Sequence, residues 1–276
     1  MFINDEYSIL KVVVVGIGDK YDLGDVCNTT IQANLDNGRL PTQAEIKQEL
    51  DCFKQFLLDH GVGVVNPKIL DCTPDQTCPR DIGFVVDETF ILSNTLVETR
   101  KTEFDGVKQF FDQLRVIRMP EGCYLEGGDL IVHGKYLFAG LGERSNLPGI
   151  NFIKTQFPEK EVIVVEHCGL HLDCCFNILS DKSAIYVPSI IKNQGLQSIE
   201  KVFKNLISVE LSDQVNLVTN FLQFKPGHIV ARDHPSFDRY SCILKKCGFT
   251  VYRIKFDAVP RLGGSFRCAT LPILRV

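Results

Sequence analysis

The sequence of 276 residues has no tryptophan and only two methionines, and neither scarcity decides its class. Other absences exclude more. No stretch approaches the ~18 uninterrupted apolar residues of a membrane-spanning helix, so no membrane association is expected. Lysine and arginine number 30 against 34 aspartates and glutamates, a formal net charge of −4. That balance lacks the basic footprint of a nucleic-acid binder. The opening segment Met1-Phe-Ile-Asn-Asp-Glu-Tyr7 has no basic stretch followed by an apolar run, so it does not read as a secretory signal. Neither a long linker nor a low-complexity segment interrupts the chain, and 1–276 reads as one domain.

Cysteine, by contrast, is abundant at 11 residues. The number is odd, the spacing irregular and no secretory signal precedes it, which favours reduced thiols in a cytoplasmic protein over a disulfide framework. Cys174-Cys175 and the Cys72/Cys78 pair lack the Cys-x2-Cys spacing of a structural zinc site, and side chains of neighbours on a strand point to opposite faces. No metal or other cofactor is expected. Gly16-Ile-Gly-Asp19 follows an apolar run but lacks the third glycine and the later acid of a dinucleotide turn.

Apolar residues are 45% of the chain, and their spacing repeats. Ile9–Ile17 is a β-branched run closed by glycine, as in a buried strand. Residues 41–60 predict a helix: Thr42 caps it, Glu45 completes a capping box, and Ile46, Leu50, Phe53, Leu57 and Leu58 recur at helical spacing. A second strand starts at Gly61. Helices are predicted at 104–114, 150–157, 198–206 and 237–247, each leading into a β-branched run. Hairpins are predicted over 84–92, turning at Asp87-Glu88, over 130–139, turning at Gly134, and over 176–187, turning near Asp181-Lys182. A strand–turn–strand–helix–strand unit of roughly fifty residues suggests a radial, repeated α/β architecture, and five such units fit.

The residues able to do chemistry stand at the edges of these units. Gly263-Gly-Ser-Phe-Arg-Cys268 puts a thiol four residues after a glycine pair, with Arg267 beside it. Glycines allow close backbone approach to a ligand, and a neighbouring cation favours the nucleophilic thiolate. Cys78-Pro-Arg80-Asp81, Leu125-Glu126-Gly-Gly-Asp129 and His171-Leu-Asp173 each precede a hairpin, and Gly142-Glu-Arg144 follows one. A thiol protease needs an oxyanion hole and one group to orient its histidine. It has no use for three further carboxylates, whereas a guanidinium fork pairs with them bidentately. Asp81, Glu126 and Asp173 around Cys268 therefore suit attack on a guanidinium carbon. Arg80, Asp129, His133, His167 and His228 read as structural.

These motifs, in this order, resemble the guanidine-modifying superfamily, which includes arginine deiminases, dimethylargininases and amidinotransferases. The resemblance implies the pentein fold, a five-bladed α/β propeller of ββαβ-type repeats. It implies Cys268 as nucleophile through a covalent thiouronium, His171 as proton donor and then activator of water or amine, and Glu126 orienting His171. Asp81 and Asp173 would hold the guanidinium nitrogens, and Arg100 and Arg144 the substrate α-carboxylate. Asp173 resembles deiminases and amidinotransferases rather than dimethylargininases. The chain leaves no room for the helical insert of deiminases, and Leu262 stands where they carry arginine. Glu126 and Ser-Phe-Arg-Cys268 depart from glycine-type amidinotransferases.

The expected function is a cofactor-independent hydrolase of a guanidine C–N bond in arginine or a derivative. The alternatives are an amidinotransferase and a non-catalytic binder of arginine-like ligands. The expected partner is a small guanidino substrate, and a homodimer stays open. Three carboxylates would keep Cys268 a neutral thiol until a cation binds. Residues 19–41, rich in Asn, Asp and Gly, are the candidate lid, with Asp19 or Asp25 touching substrate.

Overall fold

The valine-rich run forms β1 (Leu10–Val15), followed by α1 (Thr29–Asp36), α2 (Gln43–Asp59) and β2 (Gly63–Val65), which pairs parallel to β1. The computed structural model describes residues 1–24, 26–112 and 114–276. The start of α2 is the one its sequence dictates. Thr42 accepts from the Glu45 amide at 3.2 Å, and the Glu45 carboxylate accepts from the Thr42 amide at 2.7 Å, so two otherwise unpaired donors are satisfied. Its inner face is Ile46, Leu50, Phe53 and Leu57, whereas Leu58 points outward at 43% exposure.

The repeat then runs four times. β3 (Gly83–Val86) and β4 (Thr89–Leu92) form the hairpin turning at Asp87-Glu88, and β5 (Arg115–Arg118) lies parallel to β4. The third unit is β6 (Leu130–His133), β7 (Tyr136–Leu141), α3 (Leu147–Gln156) and β8 (Glu161–Glu166); the fourth is β9 (Phe176–Ile178), β10 (Ser183–Tyr186), α4 (Asn193–Val202) and β11 (Asn205–Ser208). After the short α5 (Leu211–Gln214) come β12 (Leu222–Lys225), β13 (His228–Arg232), α6 (Asp238–Lys246) and β14 (Thr250–Ile254). The final strand β15 (Thr270–Arg275) pairs antiparallel to β1 and completes the first sheet in the order β15-β1-β2. Among the described residues there are thus five three-stranded sheets, each with one antiparallel and one parallel pairing. This is the pentein propeller, in a single domain.

Three local expectations need correction. Where a helix is expected over 104–114, Glu103–Gly106 and Lys108–Phe110 are two 3-10 turns, and Gln113 lies outside the described residues. The Gly106 carbonyl accepts from Lys68 N–H at 2.8 Å and so leaves the helical ladder, while Phe111 stacks on Phe90 with centroids 4.1 Å apart. The fourth helix lies at Asn193–Val202, ahead of its expected place at 198–206. The β12–β13 hairpin and the ring-closing β15 have no counterpart in the sequence reading.

Packing connects the outer helices to the axis. The inner face of α2 presents Phe53 to Phe266 at 4.9 Å, and Phe266 stacks on Phe256 at 4.4 Å. All three rings are fully buried, at roughly 2–3 kcal/mol of burial each. Phe266 stands two residues ahead of Cys268, so the first helix-to-sheet contact also anchors the thiol segment. Each hairpin is entered by a short turn: Pro79–Ile82 before β3, Gly127–Asp129 before β6 and Leu172–Cys174 before β9. These lead-in turns are stitched to one another. Arg80 N–H donates to the Cys268 carbonyl at 3.2 Å, Leu172 N–H to Asp129 at 2.7 Å, and Arg267 N–H to Asn220 at 3.0 Å.

Candidate active site

The thiol segment begins where the 3-10 turn Val259–Leu262 stops at Gly263, whose φ of +94° is left-handed. That conformation is strained for any residue with a side chain. At Gly264 space is the constraint: a Cβ would stand 2.7 Å from the Cys78 sulfur and 3.1 Å from the Cys268 Cβ. The glycine pair lets the loop fold back over Cys268, which is 3% exposed.

His171 immediately precedes the lead-in turn of the fourth unit, Leu172–Cys174. Its Nε2 lies 2.7 Å from Glu126 Oε2, and its Nδ1 faces Asp81 Oδ1 at 3.8 Å. Glu126 is itself held by the Thr95 hydroxyl at 2.6 Å and approached by Arg144 at 3.4 Å. Asp129 accepts from Leu172 N–H, from Ser145 at 2.5 Å and from His167 at 3.0 Å, fixing the turn that carries His171. Burial lowers the proton affinity of His171, but Asp81 and Glu126 outweigh it and hold the imidazole well above its ordinary pKa. Asp81 shows the converse: burial disfavours its charge, yet His171 and Arg100 keep its carboxyl below the usual range.

On the sulfur's side, Asp173 is fully buried and pushed up by that burial, with Arg267 acting against the rise. The Arg267 guanidinium does not turn to the thiol. It donates to Glu6 at 3.0 Å and Asn177 at 3.2 Å, and its Nε stands 3.5 Å from Asp173. Sulfur atoms of Cys268 and Cys174 and an Asp173 oxygen lie within 4.8 Å of one another. Cys175 points elsewhere, to the Leu172 carbonyl. One oxygen each of Asp81 and Asp173 is buried without a hydrogen-bond partner in the protein.

Cys268, His171, Asp81, Arg100 and Arg144 line one cavity of about 20 Å³, together with Asp75, Cys78 and the Leu262–Gly264 backbone. Glu126 and Asp173 stand behind its wall. The two arginines are already engaged. Arg100 donates to Asp81 at 2.6 Å, to the Cys78 carbonyl at 2.8 Å and to Glu103 at 2.9 Å, while Arg144 donates to the Cys27 carbonyl at 2.6 Å. Their exposures of 8% and 6% explain why: a buried cation requires partners. Burial pushes Glu103 up to about 8 against the pull of Arg100, whereas Asp81 on the same guanidinium is held below the usual carboxyl range.

Part of the expected lid closes the cavity. Cys27, Asn28 and Ile31 line it, and Asn28 both caps α1 at the Ile31 amide, 2.9 Å, and donates to the Leu262 carbonyl, 3.0 Å. Asp19 instead pairs with Lys47 at 2.9 Å and is absent from the lining. Asp25 lies outside the described residues. A larger cavity of about 540 Å³ opens beyond the Asp81–Arg100 pair but reaches neither Cys268 nor His171.

Two residues at the site escape the sequence reading. Asp75 lines the cavity and is held in place by the Thr77 amide and hydroxyl at 2.8 and 2.6 Å. Asn220 contacts the Cys268 sulfur at 3.2 Å. It stands two residues ahead of β12, the offset that Asp81 has from β3 and Cys268 from β15. Recognising the Pro226-Gly227 turn as a hairpin would have exposed it.

Comparison with known proteins agrees with this fold. Bacillus subtilis (strain 168) YkgA, an uncharacterized protein, is 29% identical over 274 residues, covering 98% of this chain and 94% of YkgA. The N-terminal domain of ArgZ, in a structure with a covalently bound reaction intermediate, superposes with a TM-score of 0.87 at 24% identity, over 96% of this chain and 98% of that one. SxtG, an amidinotransferase of Microseira wollei from the saxitoxin biosynthetic pathway, superposes with a TM-score of 0.85 at 17% identity, over 99% and 97%. A family model described as N,N dimethylarginine dimethylhydrolase, eukaryotic, matches residues 25–275. The chain therefore belongs to the eukaryotic N,N-dimethylarginine dimethylhydrolase family, pentein enzymes that act on the guanidino groups of arginine-like substrates.

Proposed function

We propose that the protein is a cysteine-dependent hydrolase that cleaves a guanidine C–N bond of arginine or an arginine derivative. The observation that supports this most is convergence: a thiol, an imidazole held well above its ordinary pKa and a carboxyl of Asp81 held below its usual range line one cavity. A guanidinium delocalises its charge and is a poor electrophile. Carboxylates on its nitrogens localise that charge, and the unpartnered oxygen of Asp81, which lines the cavity, is an acceptor for its N–H groups. Cys268 attacks the central carbon as a thiolate. His171 protonates the departing nitrogen, leaving an amidino group on sulfur. Its Nε2 is committed to Glu126, so the proton comes from the Nδ1 side. The neutral imidazole then takes a proton from water, whose oxygen attacks the thiouronium carbon and releases the thiolate.

The cavity is far smaller than arginine, so residues 26–36 must lift for substrate to enter. On opening, Arg144 loses the Cys27 carbonyl and turns to the substrate carboxylate, with Arg100 as its companion. The test is to incubate the protein with arginine, methylated arginines and agmatine and to assay ammonia, methylamines, citrulline and ornithine. Ornithine belongs in the assay because ArgZ is an arginine dihydrolase of the ornithine–ammonia cycle in cyanobacteria. Mass spectrometry of the quenched mixture should show an adduct on Cys268. No product and no adduct overturn the hydrolase reading. Guanidinylated product on adding glycine or ornithine would assign an amidinotransferase instead, and binding without an adduct would assign a ligand-binding protein.

A further inference from the structure

We propose that Asn220 is a catalytic residue: its side-chain N–H donates to the Cys268 sulfur and holds it as the thiolate that attacks the guanidinium. The proposal rests on reading Cys268 as the nucleophile.

The orientation of this amide leaves little freedom. Asn220 Oδ1 accepts from the backbone N–H groups of Arg267 at 3.0 Å and Cys268 at 3.3 Å. Nδ2 donates to the Asp173 carbonyl at 3.3 Å and to Cys268 Sγ at 3.2 Å. A flipped amide would set oxygen against a carbonyl and N–H against two N–H groups. All four valences are therefore used, the side chain is wholly buried, and one N–H must face the sulfur. A donor aimed at sulfur stabilises the thiolate over the thiol, because charge on the acceptor strengthens the bond.

The surroundings explain why an amide suits this position. Asp173 and the sulfurs of Cys78 and Cys174 crowd the Cys268 sulfur. Among the described residues neither Arg80 nor Arg267 makes a hydrogen bond to the sulfur. Arg80 Nε donates to the Arg267 carbonyl, and Arg267 is held by Glu6. A free cation against the sulfur would also repel a guanidinium arriving on its other side. A neutral amide polarises the sulfur without that repulsion. Asn220 does not line the substrate cavity and reaches the sulfur from behind.

The test uses Asn220→Asp and Asn220→Ala. Aspartate keeps the acceptor for both backbone amides but sets an oxygen against the sulfur, whereas alanine removes acceptor and donor together. The readout is alkylation of Cys268 by iodoacetamide, followed by mass spectrometry across about pH 6–10, with Cys268→Ser as blank. Alanine should slow alkylation at neutral pH about tenfold and displace the profile to higher pH. Aspartate should slow it about 100-fold through like charge. A loop loosened without loss of the donor would change the rate at every pH and leave the profile in place. Where substrate turnover is measurable, kcat should fall with KM unchanged. A wild-type profile in Asn220→Ala, or in a folded Asn220→Asp, overturns the proposal; if the aspartate variant does not fold, the alanine profile decides. Alkylation needs no substrate, so a protein that fails to hydrolyse guanidines refutes the hydrolase reading while leaving the role of Asn220 to be judged on its own.

Discussion

The two sides of the cavity are built from different materials. Around His171 the contacts are ionic: Glu126 and Asp81 face the ring, and Arg100 and Arg144 close the set. Around Cys268 a neutral amide donates to the sulfur, and Arg267, paired with Glu6, stands 3.5 Å from Asp173. The ionic side fixes a protonation state, because charges at 3–4 Å in a buried site decide where a proton resides. The amide side fixes a position and tunes the sulfur while adding no charge that would repel a cationic substrate. The proposed hydrolase, which binds a guanidinium beside a thiolate, gains from this division.

The comparison breaks most sharply at its two reacting groups. Cys268→Ala should lower turnover at least about 1,000-fold and abolish the covalent adduct. His171→Ala should lower it about 10²–10⁴-fold while still permitting alkylation of Cys268. Equal loss of both readouts in the two variants would mean that the sides do not act separately.

The next effect is on stability. Glu6 is buried, and Arg267, Arg80 and Arg275 overcome that burial to draw its carboxyl from 4.5 down to about 2. A depressed carboxyl stabilises the fold above its unfolded pKa and ceases to as pH falls toward the folded value. This group should therefore contribute about 3 kcal/mol at neutral pH that is lost between about pH 5 and 2. Glu6→Gln should remove that acid dependence in denaturant titrations, and an unchanged acid limb would show that the Arg267 side is not held by charge.

His171 has the opposite sign. Its pKa is raised in the folded state, so its contribution is complete below its unfolded value near 6.5 and fades as pH rises through the folded one. Glu126→Gln should flatten this alkaline decline, and turnover should fall on the same limb as the imidazolium loses its proton. The smallest effect is at the lid. Asn28→Ala removes the α1 cap and the bond to Leu262, costing about 1 kcal/mol, and should change KM more than kcat in initial-rate measurements.

What could be read in the residues follows from how local each signal is. The Thr42–Glu45 capping box, the Asp87-Glu88 and Gly134 turns and the motifs around Cys268 and His171 depend on neighbours in the chain, and they stand where expected. The engagement of Arg100 by Asp81 and of Arg144 by the Cys27 carbonyl depends on burial that no local pattern announces. Residues 104–114 have helical spacing, but a carbonyl claimed by Lys68 and rings stacked on β4 override it. Asn220 was hidden for a different reason. A lone asparagine carries no chemical label, and its offset acquires meaning only once the hairpin of the fifth unit is seen.

The joining of β15 to β1 bears on how activity is acquired. Leu10 pairs with Arg275 and Gly16 N–H donates to the Ala269 carbonyl at 3.0 Å, so the contacts that seat the thiol segment link opposite ends of the fold. Contacts of such sequence separation form late, after their loop entropy is overcome. Hairpins and α2 should thus regain their circular dichroism early in refolding, with Cys268 reactivity returning in a slower phase. The reactivity of Cys268 becomes a reporter of ring closure, silent until the first and last strands have met.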